Sequence, residues 1–409
     1  MRLKSLKDTD VRGKTILYRS PYDIGVKEKN GQVEITDDSR IRATLPTLKY
    51  LLKQDCKIVV LTYVKRPDGK VVENLRTTPH AQVLSRLLNH PVGKIDDCVG
   101  LKVRDAIAEM KSGQILMLEN TRFHSKEMID DDSFAQELAK NGELVVFDGF
   151  PQAHRIHAST TGILRHLSGC AGFYLEKEVK ALTSLMKNPK KPFTLVIGGA
   201  KISDKVDAIN NLFDLADIIL VGGGVANVFL KAEGKKMGDS FVEDVFVDKV
   251  KKEKKDWVVY AKEILAKDLK NKIRTPVDLV IGDSLELSEN TREVVVGQKP
   301  DLVPSGWVAL DIGPQTQKLF TEIISQSRTV FWNGPMGKFE DKRFSAGSRA
   351  VAEAVGANRG TTVIAGGDTI GVAKKYADLD SFSHVSLAGG ATLEFLAGKK
   401  LPVLEMLMT

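Results

Sequence analysis

The chain has 409 residues, 42% of them hydrophobic and 28% charged, a globular composition long enough for two or three domains. Its three cysteines, Cys56, Cys98 and Cys170, are far apart and include no CxxC, which argues against a disulfide framework and for a reducing, cytoplasmic setting. The net charge of +7 suits nucleic acid or a small polyanionic substrate. No apolar run nears the ~18 residues of a membrane span, and the charged start MRLKSLKDTDVRGK lacks the apolar centre of a secretory signal.

In chain order, residues 15–18 read as a strand, followed by a polar loop through Asn30-Gly31. Asp37-Asp38-Ser39 looks like a helix start, and Ile41, Leu45, Leu48, Leu51 and Leu52 form the apolar stripe behind it. Residues 57–61 are a second strand running into TYVKRP, and 79–88 a helix. Residues 114–118 are a third strand running into ENTRFH, 133–140 a helix, and 144–147 a fourth strand running into DGFPQAHRIHAS. This alternation predicts a mostly parallel α/β sheet. Arg40, Arg66, Arg122 and Arg155 each fall just after a strand or at a loop–helix junction. One such arginine alone would be a surface residue. Four in successive loops of one sheet predict an anion cup, because guanidinium forks grip phosphate and carboxylate oxygens in pairs. His154 and His157 have the spacing of metal ligands, but no third ligand is evident.

Residues 174–186 read as one helix closed by Asn188-Pro189, which connects two domains with a boundary near 172–190. Residues 193–197 are then a short apolar run, the mark of a buried parallel strand, ending in Gly198-Gly199. Ser203 and Asp204 offer N-cap chemistry for a helix through Val206, Ile209 and Leu212. A turn without Cβ atoms lets backbone N–H groups approach an anion, and Lys201 and Lys205 stand beside it. The pattern recurs: 218–221 runs into Gly222-Gly223-Gly224, 277–281 into Gly282-Asp283, 307–310 into Asp311-Ile312-Gly313-Pro314, 329–332 into NGPMGKFE, 361–364 into AGGDT and 385–387 into AGGAT. In an open parallel sheet, strand C-terminal ends share one edge where ligands bind, so these glycines predict one crevice for a phosphate-bearing ligand. Each glycine alone would signify only a tight turn. No GxxxxGK[ST] is present, and residues 222–227 fail the dinucleotide fingerprint because Asn227 replaces its last glycine. Asp368, at a helix start after Gly366-Gly367, suits N-capping and also Mg²⁺ bridging nucleotide phosphates. Glu340 could accept hydrogen bonds from ribose hydroxyls. The densest basic run, residues 251–255, reads as the solvated face of a helix.

One half thus offers a nucleotide crevice and the other an arginine cup. That suits phosphoryl transfer, where metaphosphate-like charge needs cations, alignment and exclusion of water more than a covalent nucleophile. Donor and acceptor on separate domains imply hinge closure. A basic nucleic-acid-binding module is the reading from another class, and no aromatic–basic interleaving or recognition motif supports it.

The motifs ITDDSRIRA, KRP, LENTRF and AHRIHAS, followed by GGAKISDK, GGGVAN, WNGPMGKFE and AGGDT, resemble the phosphoglycerate kinase family over essentially the full length. The resemblance implies an α/β fold of two Rossmann-like lobes, with parallel sheets flanked by helices, joined by a hinge helix. The first lobe, 1–172, would take the acid substrate. Residues 173–189 would be the interdomain helix, 190–395 the nucleotide lobe, and 396–409 a segment returning to the first lobe. It implies a monomeric cytoplasmic kinase that moves phosphate between MgATP and the carboxylate of 3-phosphoglycerate in glycolysis or gluconeogenesis, without nucleic-acid or membrane partners. Carried over by motif, Arg40 would stabilise the transferring group, while Arg66, Arg122 and Arg155 would hold the acid. Lys205, with Lys201 beside it, would contact ATP phosphates and the transferring group. Gly199, Asn333, Glu340, Gly366, Gly367, Asp368 and Thr369 would form the nucleotide site, with Asp368 the magnesium ligand. Ala309 stands where the family commonly has a nucleotide-contacting glycine.

The departures fall in the first lobe. Where the family's first strand ends Arg-Val-Asp-hydrophobic-Asn, this chain reads Arg19-Ser20-Pro21-Tyr22-Asp23-Ile24-Gly25. Either Pro21 replaces the aspartate, or Asp23 survives and Gly25 replaces the asparagine. Both alignments lose one side-chain contact to the acid, typically ~1–3 kcal/mol for a buried polar partner. The family's Ser-His-Leu-Gly-Arg-Pro is Thr62-Tyr63-Val64-Lys65-Arg66-Pro67 here, so Tyr63 replaces a histidine near the acid and Lys65 adds charge. The family's Asn-Asp-Ala-Phe is Phe147-Asp148-Gly149-Phe150. The expectation is a divergent but active phosphoglycerate kinase in which Asp23, Tyr63 or Lys65 compensates. The alternative is a family member with another phosphorylated or carboxylic acid as acceptor, or an ATP-binding protein with weak catalysis.

Overall fold

A computed structural model describes residues 2–29, 32–247, 254–286, 288–297 and 301–409. The chain divides into two compact units: unit 1 is Met1–Thr183 with Lys399–Thr409, and unit 2 is Ser184–Gly398.

Unit 1 begins with β1 (Thr15–Arg19), the hairpin β2 (Val26–Lys29) and β3 (Gln32–Ile35), and α1 (Ser39–Lys53). Then come β4 (Lys57–Leu61), α2 (Thr78–Leu88), β5 (Val92–Lys94), α3 (Leu101–Ala108), β6 (Ile115–Met117) and α4 (Asp132–Ala139). β7 (Leu144–Phe147), α5 (Ile163–His166), β8 (Gly169–Ala171) and α6 (Phe173–Lys187) complete it, and the passage to unit 2 falls within α6. The sheet order is β5-β6-β4-β1-β7-β8, parallel at every pairing. A parallel sheet is covered on both faces, so LVVF in β7 is apolar throughout and β4 is apolar after its first residue, Lys57. One core packs Tyr18, Ile58, Val60, Met117 and Val146 of the sheet with Ile41, Leu48 and Leu51 of α1 and Leu84 of α2. The segments holding Asp23, Tyr63, Arg122 and Arg155 all leave the C-terminal ends of its strands. The Asn30-Gly31 turn lies outside the described residues.

Unit 2 opens with β9 (Phe193–Ile197), α7 (Val206–Phe213), β10 (Ile218–Val221), α8 (Gly223–Ala232), β11 (Lys236–Met237), β12 (Val245–Val247) and β13 (Lys254–Asp256). It continues through α9 (Trp257–Lys267), β14 (Ile273–Arg274), β15 (Asp278–Gly282), β16 (Thr291–Val295), β17 (Asp301–Val303), β18 (Val308–Ile312) and α10 (Pro314–Gln326). β19 (Thr329–Asn333), α11 (Ala346–Ala357), β20 (Thr361–Ala365), α12 (Gly367–Tyr376), β21 (His384–Ser386) and α13 (Gly390–Leu396) close it. α14 (Pro402–Met406) belongs to unit 1, where Lys4 N–H donates to the Leu407 carbonyl at 2.8 Å. The main sheet of unit 2, β14-β10-β9-β19-β20-β21, is again parallel throughout. Trp332, Phe320, Ile324, Val351 and Ile364 lie in its core.

Two sequence expectations change. β15 and β18 do not add to the parallel sheet but form a separate antiparallel sheet, β16-β15-β18. The cause is local: Asp283 collects the N–H groups of Glu289 and Asn290 at 2.8 and 3.1 Å, closing a hairpin that returns β16 along β15. In the basic run, Lys254 and Lys255 lie in a strand paired antiparallel to β12 rather than on a helix. Residues 251–253 lie outside the described residues. Among the described residues, no helix is long and apolar enough to cross a membrane.

Candidate active site

In unit 1, Tyr22 is buried, with its hydroxyl 2.7 Å from Thr44 Oγ1 of α1. The next residue joins two elements. Asp23 Oδ1 accepts the Lys65 N–H at 2.9 Å, and the Asp23 carbonyl accepts Nη1 of Arg40 at 2.6 Å. Lys65 has φ 54°, a left-handed conformation that favours glycine. Its carbonyl accepts Nη1 of Arg122. Asn120 braces the same loop: its amide donates to the Val64 carbonyl at 2.9 Å, and its Oδ1 accepts the N–H groups of Val64 and Arg122, each at 3.1 Å. The Arg122 guanidinium lies over the Tyr63 ring, 3.6 Å from its centre, and that of Arg19 at 5.0 Å. Arg19 Nε donates to the carbonyl and hydroxyl of Ser159, and Ser159 in turn donates to the Glu127 carboxylate.

Asp23, Arg40, Tyr63 and Arg122 are therefore brought into one contact network. Arg66 and Arg155 are exposed; Arg66 follows Lys65 in the chain, and Arg155 lies two residues before His157, whose ring is 6.0 Å from that of Tyr63. Two buried guanidiniums face one buried carboxylate, so the cluster keeps an excess of positive charge. Burial, aided by Arg122, Arg19 and Arg155, pushes His157 down to about 3. Burial and Arg155 push His154 down to about 4. Both imidazoles are neutral at pH 7. Burial raises Glu127 against the pull of Ser159 and Arg19, and burial lowers Arg19.

In unit 2 the glycine turns are laid against one another. Gly198 N–H donates to the Asn333 carbonyl at 2.9 Å, Gly199 N–H to Pro335 at 2.7 Å, and Gly223 N–H to Met336 at 2.8 Å. A Cβ at Gly198 would sit 2.1 Å from the Pro335 oxygen, and one at Gly224 2.2 Å from the Ala200 oxygen. The Gly198-Gly199 turn thus spends its N–H groups on the exit of β19 and offers none to an anion, contrary to the sequence expectation. The cap expectation also fails. Lys205 occupies the N-cap of α7, and Ser203 instead donates its N–H and hydroxyl to Glu243 at 3.0 and 2.6 Å.

The start of α12 is different. Gly366 turns the chain at φ 98°, Gly367 and Asp368 are exposed, and a Cβ on Gly367 would meet nothing within 4 Å. The Ile370 N–H to Gly366 carbonyl bond (3.0 Å) comes after the N–H groups of Gly367, Asp368 and Thr369, which form the positive end of the helix. Asn333 and Thr369 are buried and tie the strand exits together: Asn333 donates to the Ala365 carbonyl, and the Thr369 hydroxyl accepts the Gly334 N–H, both at 2.7 Å. A cavity of ≈ 580 Å³ is lined by Gly199, Lys201, Ala309, Asp311, Glu340 and Asp368, with apolar walls from Phe241, Leu279, Ile312 and Met336. Lys205 lies at its edge. A Cβ on Gly199 would be 3.3 Å from the Lys205 Nζ, and burial lowers that amine against the attraction of Asp204, Asp368 and Glu243.

A family model described as "Phosphoglycerate kinase" matches residues 6–399. The chain belongs to the phosphoglycerate kinase family. It is 43% identical over 406 residues to the phosphoglycerate kinase of Roseiflexus sp. (strain RS-1), covering 98% of each chain. It is 42% identical over 400 residues to that of Moorella thermoacetica, covering 97% of each. Among solved structures it is similar to phosphoglycerate kinase from Coxiella burnetii, with a TM-score of 0.82 at 35% identity over 99% of this chain and 98% of that one.

Several residues that shape these sites in this phosphoglycerate kinase family member were not singled out as site residues from sequence. Arg19 and Glu127 are one case; a cation closing the otherwise apolar TILYR was the available signal. Glu119 is another, a buried acid inside LENTRF that accepts from Arg76, Thr77, Lys94 and Asn120. Asp311 is a third: burial pushes it up to about 7 although it accepts the N–H groups of Ile312 and Gly347. Asp97, Cys98 and His124 bring three ligand-type atoms within 4.8 Å. Asp97 Oδ1 is already shared by the His124 ring and the Cys98 N–H at 2.9 and 2.7 Å, so this group closes a loop.

Proposed function

We propose that the chain catalyses reversible phosphoryl transfer between MgATP and the carboxylate of 3-phosphoglycerate, with unit 2 holding the nucleotide and unit 1 the acid. The observation that carries this reading is family membership over nearly the whole chain. The geometry of each unit supports it. The acid's carboxylate is already ionised at neutral pH, so the step needs no general base. A carboxylate oxygen forms the new bond to the γ-phosphorus as the bond to the β–γ bridging oxygen breaks, and ADP leaves with that electron pair. Charge on the equatorial oxygens is what the protein must meet. Arg40, anchored by the Asp23 carbonyl, would stabilise the transferring group. Arg66, Arg122 and Arg155 would hold the acid. Lys205, with Lys201, would contact the nucleotide phosphates, and the N–H groups at the start of α12 would receive them. Ala309 and Glu340 line the cavity where the nucleoside would lie. Asp368, exposed and lining that cavity, fits a Mg²⁺ held by one carboxylate plus phosphate and water oxygens. Held there, the ion would supply positive charge against the nucleotide phosphates. Closure of the two units would bring the ligands together and expel water. A monomeric, cytoplasmic enzyme belongs to the same proposal, in keeping with three buried free cysteines.

A coupled assay with MgATP and 3-phosphoglycerate tests this reading. Saturable turnover that falls by about 10³-fold or more in Arg40→Ala is the expected result, the scale of an arginine that stabilises a transferring phosphoryl group. Calorimetric binding of ATP without turnover would instead favour another acid acceptor.

A further inference from the structure

We propose that Tyr63 is a positioning residue whose ring face holds the Arg122 guanidinium in one orientation, and so sets how unit 1 grips the anionic end of its acid. The inference rests on reading unit 1 as the acid site.

Tyr63 is 4% exposed, so its ring is not a surface that the acid lies against. Two cations face it: the Arg122 guanidinium carbon is 3.6 Å from the ring centre and that of Arg19 is 5.0 Å away, while the neutral His157 ring meets it edge-on at 6.0 Å. Two guanidiniums brought to one ring repel each other, and the negative π face is what offsets that repulsion where water is excluded. Burial raises the Tyr63 phenol above its ordinary value, so the ring stays neutral and does not act as a counter-charge.

Arg122 needs such a support. Among the described residues, its guanidinium makes one hydrogen bond, from Nη1 to the Lys65 carbonyl, and its Nε is buried without a partner, as is Nη2 of Arg19. A planar fork tied at a single nitrogen can pivot about that bond. A ring stacked against its face removes the pivot and keeps the remaining donors aimed in one direction, which is what bidentate capture of a carboxylate or phosphate requires. Lys65 is itself fixed by the Asp23 carboxylate, so the chain of positioning runs from Asp23 through Lys65 to Arg122, with Tyr63 beneath.

The test compares Tyr63→Phe, which keeps the π face, with Tyr63→Leu, which keeps apolar bulk without it. With 3-phosphoglycerate, Tyr63→Phe should stay within about twofold of wild type. Tyr63→Leu should raise KM for the acid about thirtyfold, the worth of a desolvated cation–π contact, while KM for MgATP stays within twofold. A substrate-free readout accompanies it. The Nε–H resonance of Arg122 should be shifted upfield by the ring in wild type and Tyr63→Phe, and should move downfield in Tyr63→Leu. A parallel titration with inorganic sulfate should show the same order of affinities, so a wild type that fails to turn over 3-phosphoglycerate would overturn the substrate reading and still test the clamp. Equal losses in Tyr63→Phe and Tyr63→Leu would make the hydroxyl the contact and overturn the proposal. So would an unchanged acid KM in Tyr63→Leu, or an unshifted Arg122 resonance in wild type.

Discussion

Glu119→Gln removes one charge from a group that five donors depend on. Glu119 is 2% exposed. Its Oε1 accepts the N–H groups of Thr77 and Asn120, each at 2.9 Å, and the Thr77 hydroxyl at 3.2 Å; its Oε2 accepts Arg76 Nη1 at 2.9 Å and Lys94 Nζ at 3.0 Å. Burial works to raise its pKa, yet the backbone N–H groups of Asn120 and Thr77 and the Lys94 ammonium together hold it below the usual carboxylate range. Whichever way the glutamine amide is placed, its NH₂ meets either two cations or two backbone donors. Breaking a buried ion pair from one side costs about 3–5 kcal/mol. Arg76 retains Glu73 and Lys94 retains Asp96, which places the loss near the lower limit, about 3 kcal/mol. That is more than about a hundredfold in the opening constant. Hydrogen exchange read by mass spectrometry reports β4 and β6 of unit 1 apart from unit 2, and their slowest amides should exchange about a hundredfold faster in the variant. Asn120 also braces Val64 and Arg122, so KM for the acid should rise with little change in KM for MgATP. Glu119 is buried and its two cations are partly so, so added salt should reproduce little of the effect. Acceleration below about threefold would mean that Glu119 is replaceable and that the braced loop stands without it.

Two further outcomes follow from the same geometry. Gly334→Ala should destabilise unit 2 by at least about 1–2 kcal/mol from backbone handedness alone, because Gly334 has φ 96° and its Cβ would sit 2.2 Å from the Gly198 oxygen; Gly367→Ala, with nothing within 4 Å, should leave the thermal midpoint unchanged or raised, and equal effects of the two would refute the packing argument. Burial pushes His80 down to about 4, below an unfolded value near 6.5, so its contribution to stability is complete above about pH 6.5 and is lost as pH falls toward 4. Asp148, raised by burial to about 6, pulls the opposite way over the same range, so the readout is the difference between His80→Leu and wild type in urea: the variant's relative stability should grow as pH falls from 6.5 to 4, and a pH-independent difference would refute the assignment.

The parallel sheets were legible because apolar runs such as FTLVI and LVVF, bounded by glycine or aspartate, have few other readings in a chain that alternates with amphipathic helices. The misplacement of β15 and β18 has a physical source. A buried strand reads the same whether its neighbour runs parallel or antiparallel, and the deciding feature was a turn closed by Asp283. In unit 1 the arginines could be counted from sequence, but their states could not. Arg40 and Arg122 are held by main-chain carbonyls of Asp23 and Lys65, and carbonyls leave no trace in side-chain identity. Lys65 shows the converse: it stands at φ 54° where the family pattern has glycine, so a residue read as added charge is also a backbone position held against its preference by Asp23.

The glycines carry the sharper lesson, because one residue type serves two opposed ends. Where a Cβ is missing, either another stretch of backbone or a ligand can come close. Gly198, Gly224 and Gly334 are of the first kind: a Cβ on each would lie within 2.2 Å of a carbonyl oxygen. Gly199 and Gly223 have given their N–H groups to Pro335 and Met336. Gly367 is of the second kind, exposed with open space where its Cβ would be, and it heads a helix of ten residues. A phosphate drawn to bare backbone in unit 2 therefore has its natural seat at the start of α12, beside Asp368 and within the electrostatic reach of Lys205, rather than along every glycine turn of the sheet. The packed turns still matter to that seat. Asn333 and Thr369 bind the exits of β19 and β20 to each other, so the exit of β19, which takes up the Gly198-Gly199 turn, is the same one that fixes where α12 begins.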